Sequence, residues 1–302
     1  KAPKRLQKTE IRYENDIAKA LEADLHKSAY ESYLTEIGFV RSELRQAIAQ
    51  LKKWATPKRV HTPFLLMGTT SRITYQAYGN VLILAPWNYP FQLLFSPLVG
   101  AVAAGNCVTL KGSPYAPHTN EICRKIVNEA FDCRHVLWVD TDNRGTDRLL
   151  EMKWDYIFFT GGPSYGKKVA EAAARHLTPV TWELGGKSPC IVHRDAHLAT
   201  AARRIVWGKF LNCGQTCIAP DYLLVHRDIM EPLIALLRQE IVRQYGENPQ
   251  TNSDYPRIIN EKRFYELVRL IKQGHIEHGG TYDVDDLYIA PTLISHITPE
   301  MR

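Results

Sequence analysis

The stretch "DYIFFTGGPSYGKKVAEAAARHL", Asp155–Leu177, decides how the fold is read. Tyr156 to Thr160 is a short run of aromatic and β-branched residues closed by glycine, the pattern of a buried strand. Gly161 and Gly162 permit a sharp turn. Pro163 has its φ preset for a first helical turn, and Val169, Ala172, Ala173 and Leu177 then recur at helical spacing. Strand, glycine turn and helix together aim backbone N–H groups and a positive helix end at an anion. The residues leave three readings open. Gly161-x4-Gly166-Lys167 approaches a triphosphatase P-loop, but Lys168 stands where Ser or Thr would hold Mg²⁺. The same glycines fit a loose dinucleotide loop, and they also fit a strand–helix corner with no ligand.

Working outward, the same alternation repeats. "VLILAP" (81–86) is an apolar strand and "QLLFSPLVGAVAAG" (92–105) a buried helix of small residues. "CVTLKGSP" (107–114) is a second strand, "APHTNEICRKIVNEAF" (116–131) a helix, and "HVLWV" (135–139) a third strand. Strands alternating with helices of this length predict a parallel, doubly wound α/β sheet covered on both faces. Upstream, Ile17, Leu21 and Leu25, then Leu34, Ile37, Leu44, Ile48 and Leu51, recur at helical spacing among charges. "TPKRVHTP" (56–63) breaks that pattern, and "TSRITYQAYGN" (70–80) alternates like a strand or hairpin leaving the main body. Beyond "PVTWELGG" (179–186) the Gly185-Gly186 pair marks a boundary. A second α/β segment follows, with helices in 195–211 and 228–246 and a strand-like tail from 287 onward.

The bulk properties bound the function. A chain of 302 residues, 45% hydrophobic and 23% charged, has room for two domains. Its net charge of +6 comes from interleaved acids and bases, the pattern of solvated helix faces rather than a nucleic-acid patch. Cys107, Cys123, Cys133, Cys190, Cys213 and Cys217 form no secreted disulfide framework, and no second Cys or His cluster completes a zinc set around the last two. With no signal peptide and no apolar run of membrane-spanning length, the expectation is a soluble, cytoplasmic protein without a metal or a membrane segment.

Three motifs carry chemistry, each ambiguous alone. In "PWNYPF", Asn88 follows an apolar strand, where open α/β sheets bind ligands, and its amide suits an oxyanion; it also suits an ordinary turn. In "TWELGGKSP", Glu183 ends a strand before two glycines, and a carboxylate there could activate water if partial burial raised its pKa; it also suits an ordinary strand-end carboxylate in solvent. In "FLNCGQTCIAP", Cys217 lies in a Gly-Gln-Thr loop where N–H groups would favour thiolate, although free cysteines are often simply buried. Cys213 reads as a bystander or a redox partner.

Together, "PWNYPF", "ELGGKSP" and "GQTC", in that order and with "LKGSP" and "FTGGPSYGK", resemble the aldehyde dehydrogenase superfamily. "HLTPVTWELGGKSPC", "RRIVWGKFLN" and "GQTCIAPDY" are most similar to its class 3 branch, the fatty and aromatic aldehyde dehydrogenases, and the likeness runs from about Ala18 to the last residue. The resemblance implies a Rossmann-type cofactor domain over 1–68 and 80–185, a hairpin over 69–79 serving an oligomerisation or bridging element, and a catalytic domain over 186–302. It implies Cys217 as nucleophile, Asn88 as oxyanion donor and Glu183 as general base. It places Lys111, Trp87, Gly161, Gly162, Ser164 and Gly166 around NAD or NADP. The implied reaction oxidises an aldehyde to a carboxylic acid through a cysteine hemithioacetal and a thioester, in a protein that is a homodimer at full length.

Three departures matter. Many relatives read "KPSE" where this chain has "KGSP", so Pro114 replaces a ribose-binding carboxylate, and weaker discrimination against NADP is expected. Gly161-Gly162 replaces the usual Gly-Ser, which leaves Ser164 as the nearby hydroxyl. Family members also continue past Arg302 into an "E-I-F-G-P" segment. The catalytic domain is therefore expected to be incomplete, with an apolar sheet edge and poor solubility if Arg302 is the true end. Two further readings remain: a non-catalytic protein of the same fold, and a P-loop phosphotransferase.

Overall fold

The computed structural model describes residues 2–298 and residue 300. The chain opens with α1 (Ala2–Arg12), α2 (Glu14–Leu25), a short α3 (Ala29–Ser32), a π-helical turn (Tyr33–Ile37) and α4 (Gly38–Trp54). A hairpin of β1 (Lys58–Val60) and β2 (Ser71–Ile73) leads into β3 (Asn80–Leu84), α5 (Gln92–Ala103), β4 (Cys107–Lys111), α6 (Pro117–Ala130) and β5 (Val136–Trp138). Then come α7 (Asn143–Glu151), β6 (Tyr156–Gly161), α8 (Pro163–Ala174) and β7 (Val180–Leu184). The chain packs as two units. The first holds Lys1–Ile17, Leu34–Pro114 and Thr119–Glu183; the second holds Ala18–Tyr33, Tyr115–His118 and Leu184–Arg302. The chain's division at Glu183 and Leu184 falls beside the glycine pair, but the second unit also takes Ala18–Tyr33 from the helical start. No helix among the described residues is long and apolar enough to cross a membrane.

In the first unit five strands run in the order β5-β4-β3-β6-β7. The β5/β4, β4/β3 and β3/β6 pairs are parallel. Ile157 bonds Pro179 while Phe159 packs on Trp182 further along, so β6 and β7 also advance together. The chain moves outward from β3 through β4 to β5, then returns to the other side of β3. That reversal makes a topological switch point between β3 and β6, where ligands settle at the strands' carboxyl ends. Leu82, Leu84, Ile157 and Phe159 from the two central strands pack with Leu150, Trp154, Val169 and Ala173. Each large side chain buried there stabilises the unit by roughly 1.5–3 kcal/mol. Leu177, expected on the core face of α8, lies beyond the helix end at φ 54 and is 91% exposed. The helical period ends at Ala174, so Leu177 no longer shares its face.

The hairpin also differs from expectation. Residues 71–73 do not fold back within 69–79; they pair antiparallel with Lys58–Val60, in the stretch that two prolines had marked as a break. A three-residue strand fits between Pro57 and Pro63 because neither proline has to donate to the ladder.

The second unit holds β8 (Ser188–Val192), α9 (Leu198–Phe210), β9 (Pro220–Val225), α10 (Met230–Tyr245) and α11 (Glu261–Ile271). Further on lie β10 (His275–His278), β11 (Tyr282–Asp283), β12 (Tyr288–Ile289) and β13 (Leu293–Ser295). Its described strands pair two by two: β8 with β9 in parallel, β10 with β13 and β11 with β12 antiparallel. Ala202, Ile205 and Val206 of α9 pack on Leu233, Leu237 and Ile241 of α10. The expectation about a sheet edge at Arg302 falls on a residue outside the described ones.

Candidate active site

Within the first unit, the expected ligand residues gather at strand ends. β3 ends at Leu84, and the Ala85 N–H still bonds the Lys111 carbonyl at 3.0 Å before the chain turns through Trp87 and Asn88, both half-buried. Below this turn Tyr89 and Phe91 are buried. A carboxylate fixes the turn from a distance: Glu36 Oε2 accepts from the N–H groups of Phe91 (2.9 Å) and Gln92 (3.1 Å) at the start of α5. A negative charge at a helix N-terminus satisfies donors that the helix itself leaves open. Glu36 is 0% exposed and sits in the π-helical turn. Arg41 of α4 clamps Glu10 of α1 at 2.9 Å, which anchors the helix that follows Glu36.

Lys111 ends β4 and is buried; burial lowers its pKa, and the charge of Asp142 opposes that effect. Gly112 follows because a Cβ there would lie 2.0 Å from Asn120 Oδ1. At the end of β6, a Cβ on Gly161 would strike the Phe159 ring at 2.7 Å, whereas one on Gly162 meets nothing within 4 Å. Gly162 caps α8 without a side-chain hydrogen bond, Pro163 follows, and Ser164 and Gly166 lie in the first turns. Thr160, just before the glycines, has a buried hydroxyl with no hydrogen-bond partner. An open glycine surface, a helix start without a side-chain cap, an unsatisfied hydroxyl and a lysine at the end of the adjoining β4 suit the phosphates and ribose of a dinucleotide. The Thr160 hydroxyl was missed from sequence, although its place at a strand end before Gly-Gly was the available signal. Glu183 is the penultimate residue of β7 and is exposed. Of its two readings from sequence, the solvent-exposed carboxylate is the environment found.

In the second unit, Cys217 lies three residues past an unusual turn. After α9, Asn212 (φ 54), Cys213 (φ 54) and Gly214 (φ 77) are consecutively left-handed. For a residue with a Cβ this costs about 1–2 kcal/mol, so surrounding contacts must hold it. They do. The Asn212 N–H donates to Glu31 Oε1 at 2.7 Å, in buried surroundings. Gln215 Nε2 donates to the Arg257 carbonyl at 2.9 Å, and its Oε1 accepts from Ile259 N–H at 3.0 Å. Cys213 packs beside Tyr255 and Ile258, and burial pushes its thiol up to about 11. Cys217 is half-buried, and Ile218 beyond it is 80% exposed.

The glycine loop before β8 closes on this turn. A Cβ on Gly186 would lie 2.4 Å from the Cys217 carbonyl oxygen, while one on Gly185 meets nothing within 4 Å. Lys187 pairs with Asp221 at 3.2 Å, and Lys209 approaches the same carboxylate at 3.8 Å. Burial lowers the Lys209 pKa, and Asp221 opposes it. Sequence reasoning missed Glu31, Glu36, Gln215 and Arg257, whose contacts lie far along the chain.

A doubly wound α/β unit with a topological switch point, joined in the chain to a unit that buttresses a cysteine turn, defines the class of protein. The chain belongs to the aldehyde dehydrogenase family, whose model matches residues 4–302. It is 44% identical over 299 residues to the 4,4'-diaponeurosporen-aldehyde dehydrogenase of Staphylococcus aureus (strain NCTC 8325 / PS 47), covering 98% of this chain and 65% of that relative. It is 43% identical to human aldehyde dehydrogenase family 3 member B1, covering 91% of this chain and 59% of the relative. A solved structure described as the substrate-bound state of Staphylococcus aureus AldH superposes with a TM-score of 0.97 at 43% identity, over 99% of this chain and 66% of that one. The chain thus spans about 65% of the length of the first of these relatives.

Proposed function

We propose that this chain carries the reaction centre of an NAD(P)-dependent aldehyde dehydrogenase that yields a free carboxylic acid. The observation that carries the reading is the seat of the Cys217 turn against Gly186, where only a residue without a Cβ fits. Glu183 is three residues upstream in the chain, so covalent geometry alone keeps its Cα within about 11 Å of that of Gly186.

In this reading the Cys217 thiolate attacks the aldehyde carbon, and the new C–S bond moves the carbonyl electrons onto oxygen. The Asn88 amide, on a turn fixed through Glu36, donates to that oxygen. A nicotinamide cofactor, when bound, would supply the hydride acceptor. Loss of hydride from the hemithioacetal leaves a thioester on Cys217, and Glu183 takes a proton from the water that cleaves it. Exposure of Glu183 suits a base that meets solvent water. Lys111 and Trp87, with Gly161, Gly162, Ser164, Gly166 and the added Thr160, would hold the cofactor. Both NAD and NADP fit, because Pro114 offers no carboxylate against a 2′-phosphate. The class 3 likeness points to medium or long aliphatic, or aromatic, aldehydes. A homodimer and a cytoplasmic location belong to the same proposal, to be checked by sedimentation and by fractionation.

The test is formation of reduced cofactor from a medium-chain aldehyde with NAD and with NADP in parallel. Cys217→Ala should lower turnover by roughly a thousandfold or more. Wild-type protein that binds cofactor yet shows no thiol-dependent turnover would instead support the non-catalytic reading.

A further inference from the structure

The hydrogen bonds around Gln215 converge on one arginine. A short segment grips the Gln215 side chain at both ends: Nε2 donates to the Arg257 carbonyl at 2.9 Å, and Oε1 accepts from the Ile259 N–H at 3.0 Å. An amide bonded this way acts as one rung of a β-ladder, so Gln215 must follow wherever residues 257–259 lie. The rest of that segment is bonded as well. The Arg257 N–H donates to the Leu25 carbonyl and the Ile258 N–H to the Leu287 carbonyl, both at 3.0 Å. Shortly after Gln215 comes Cys217, inside a turn that the Ala219 N–H closes on the Thr216 carbonyl at 3.2 Å.

The Arg257 side chain fixes this segment in turn. Its Nη1 donates to the Tyr255 carbonyl and its Nη2 to the Gln250 carbonyl, each at 2.7 Å. Nη2 also meets Asp286 Oδ2 at 2.9 Å, and the guanidinium lies 5.3 Å from the centre of the Tyr288 ring. Gln250 Nε2 bonds the same Asp286 oxygen at 3.1 Å. Burial pushes the Asp286 carboxyl up, but its bonds to Arg257 and Gln250 outweigh that and hold it below the usual range, so the pair is charged at neutral pH. A planar fork serves two carbonyls and a carboxylate in fixed directions, which the single ammonium of a lysine cannot do. The arrangement carries a cost, since the Arg257 Nε is buried without a hydrogen-bond partner. All of these partners belong to the second unit, as Cys217 does.

We propose that Arg257, held by Asp286, is a positioning residue for Cys217. It acts through Gln215 to set where the thiol stands, in addition to holding the unit together. This deepens the dehydrogenase reading of Cys217 and rests on it. Bond formation demands closer placement of the nucleophile than substrate binding does, so loss of the clamp falls on kcat rather than on the aldehyde KM.

A double-mutant cycle tests the proposal. Arg257→Met keeps the stem and removes the fork, Gln215→Ala removes the link, and a third protein carries both. Two rates are measured on proteins shown to be folded by circular dichroism: iodoacetamide alkylation at Cys217, and oxidation of a medium-chain aldehyde. Each single variant should change the alkylation rate by about threefold or more and lower kcat by about tenfold, with the aldehyde KM within about twofold of wild type. Adding Arg257→Met to Gln215→Ala should then change either rate by less than about twofold, because the path is already cut. Arg257→Lys should not restore the wild-type rates. If Arg257→Met does not fold, the milder Asp286→Asn takes its place in the cycle, with an expected fall in kcat of about threefold. Additive effects in the cycle overturn the proposal, as does wild-type alkylation and kcat in a folded clamp variant. Wild-type protein without any turnover would refute the dehydrogenase reading instead, and the alkylation cycle would still decide whether Arg257 positions Cys217.

Discussion

The switch-point end of the first unit and the cysteine turn of the second place their side chains by opposite means. At the switch point, regular elements do the positioning. Asn88 follows β3, Lys111 ends β4 and Gly161 ends β6, so parallel register brings the strand ends to one edge. At the cysteine turn no regular element reaches Cys217. Three left-handed residues turn the chain, Glu31 and Gln215 bond that turn, and Gly186 lies close against Cys217 beyond it. The first arrangement should tolerate a local change that leaves the sheet intact. The second should fail when a single distant contact is lost.

The largest contrast should come from the glycine pair. Gly186→Ala drives a methyl group into the Cys217 carbonyl, so the loop or the turn must move. Steady-state assays should show turnover reduced by about ten- to a hundredfold, since small misplacements of a nucleophile are costly. Gly185→Ala, with open space around it, should stay near wild type. Equal damage from both substitutions would break the comparison.

Next in size is the anchor of the turn. Glu31→Ala leaves the buried Asn212 N–H without the carboxylate that now accepts from it at 2.7 Å. Urea denaturation should show a loss of about 1–3 kcal/mol. If stability is unchanged, the left-handed turn is held by other means and Glu31 is not its anchor.

Smallest in stability, though not in binding, is Gly162→Ala. A Cβ there touches nothing in the protein, so the melting temperature should stay within about a degree or two. Under the proposed cofactor placement a dinucleotide should then bind roughly tenfold more weakly, because the methyl group would occupy the surface assigned to a phosphate. Unchanged affinity would move the phosphates elsewhere.

The same contrast explains what could be read from sequence. The strand at 156–161 and the helix after Pro163 are written in local periodicity and glycine placement, which need no knowledge of distant partners. Leu177 shows where the method overreached, since it continued the period past the helix end. The Cys217 turn was visible only as a motif. Its cause lies in Glu31, which is 181 residues from Asn212, and no pattern within a local window links them. Glu36 is likewise 55 residues from Phe91. The hairpin was half legible: the alternation of 71–73 was found, but its partner strand hid between two prolines.

Cys213 and Cys217, four positions apart in sequence, allow the most direct test. Both are half-buried, but Cys213 packs beside Tyr255 and Ile258, and burial pushes its thiol up to about 11, which disfavours its thiolate near pH 8. Cys217 is half-buried beside an exposed Ile218. The decisive measurement is the rate of iodoacetamide alkylation at each cysteine, read by peptide mass spectrometry on the folded protein at about pH 8. The account predicts that Cys217 is labelled at least about tenfold faster than Cys213, and that bound dinucleotide changes the rate at Cys217 alone. Equal rates, or faster labelling of Cys213, would contradict the assignment of Cys217 as the nucleophile of a built site.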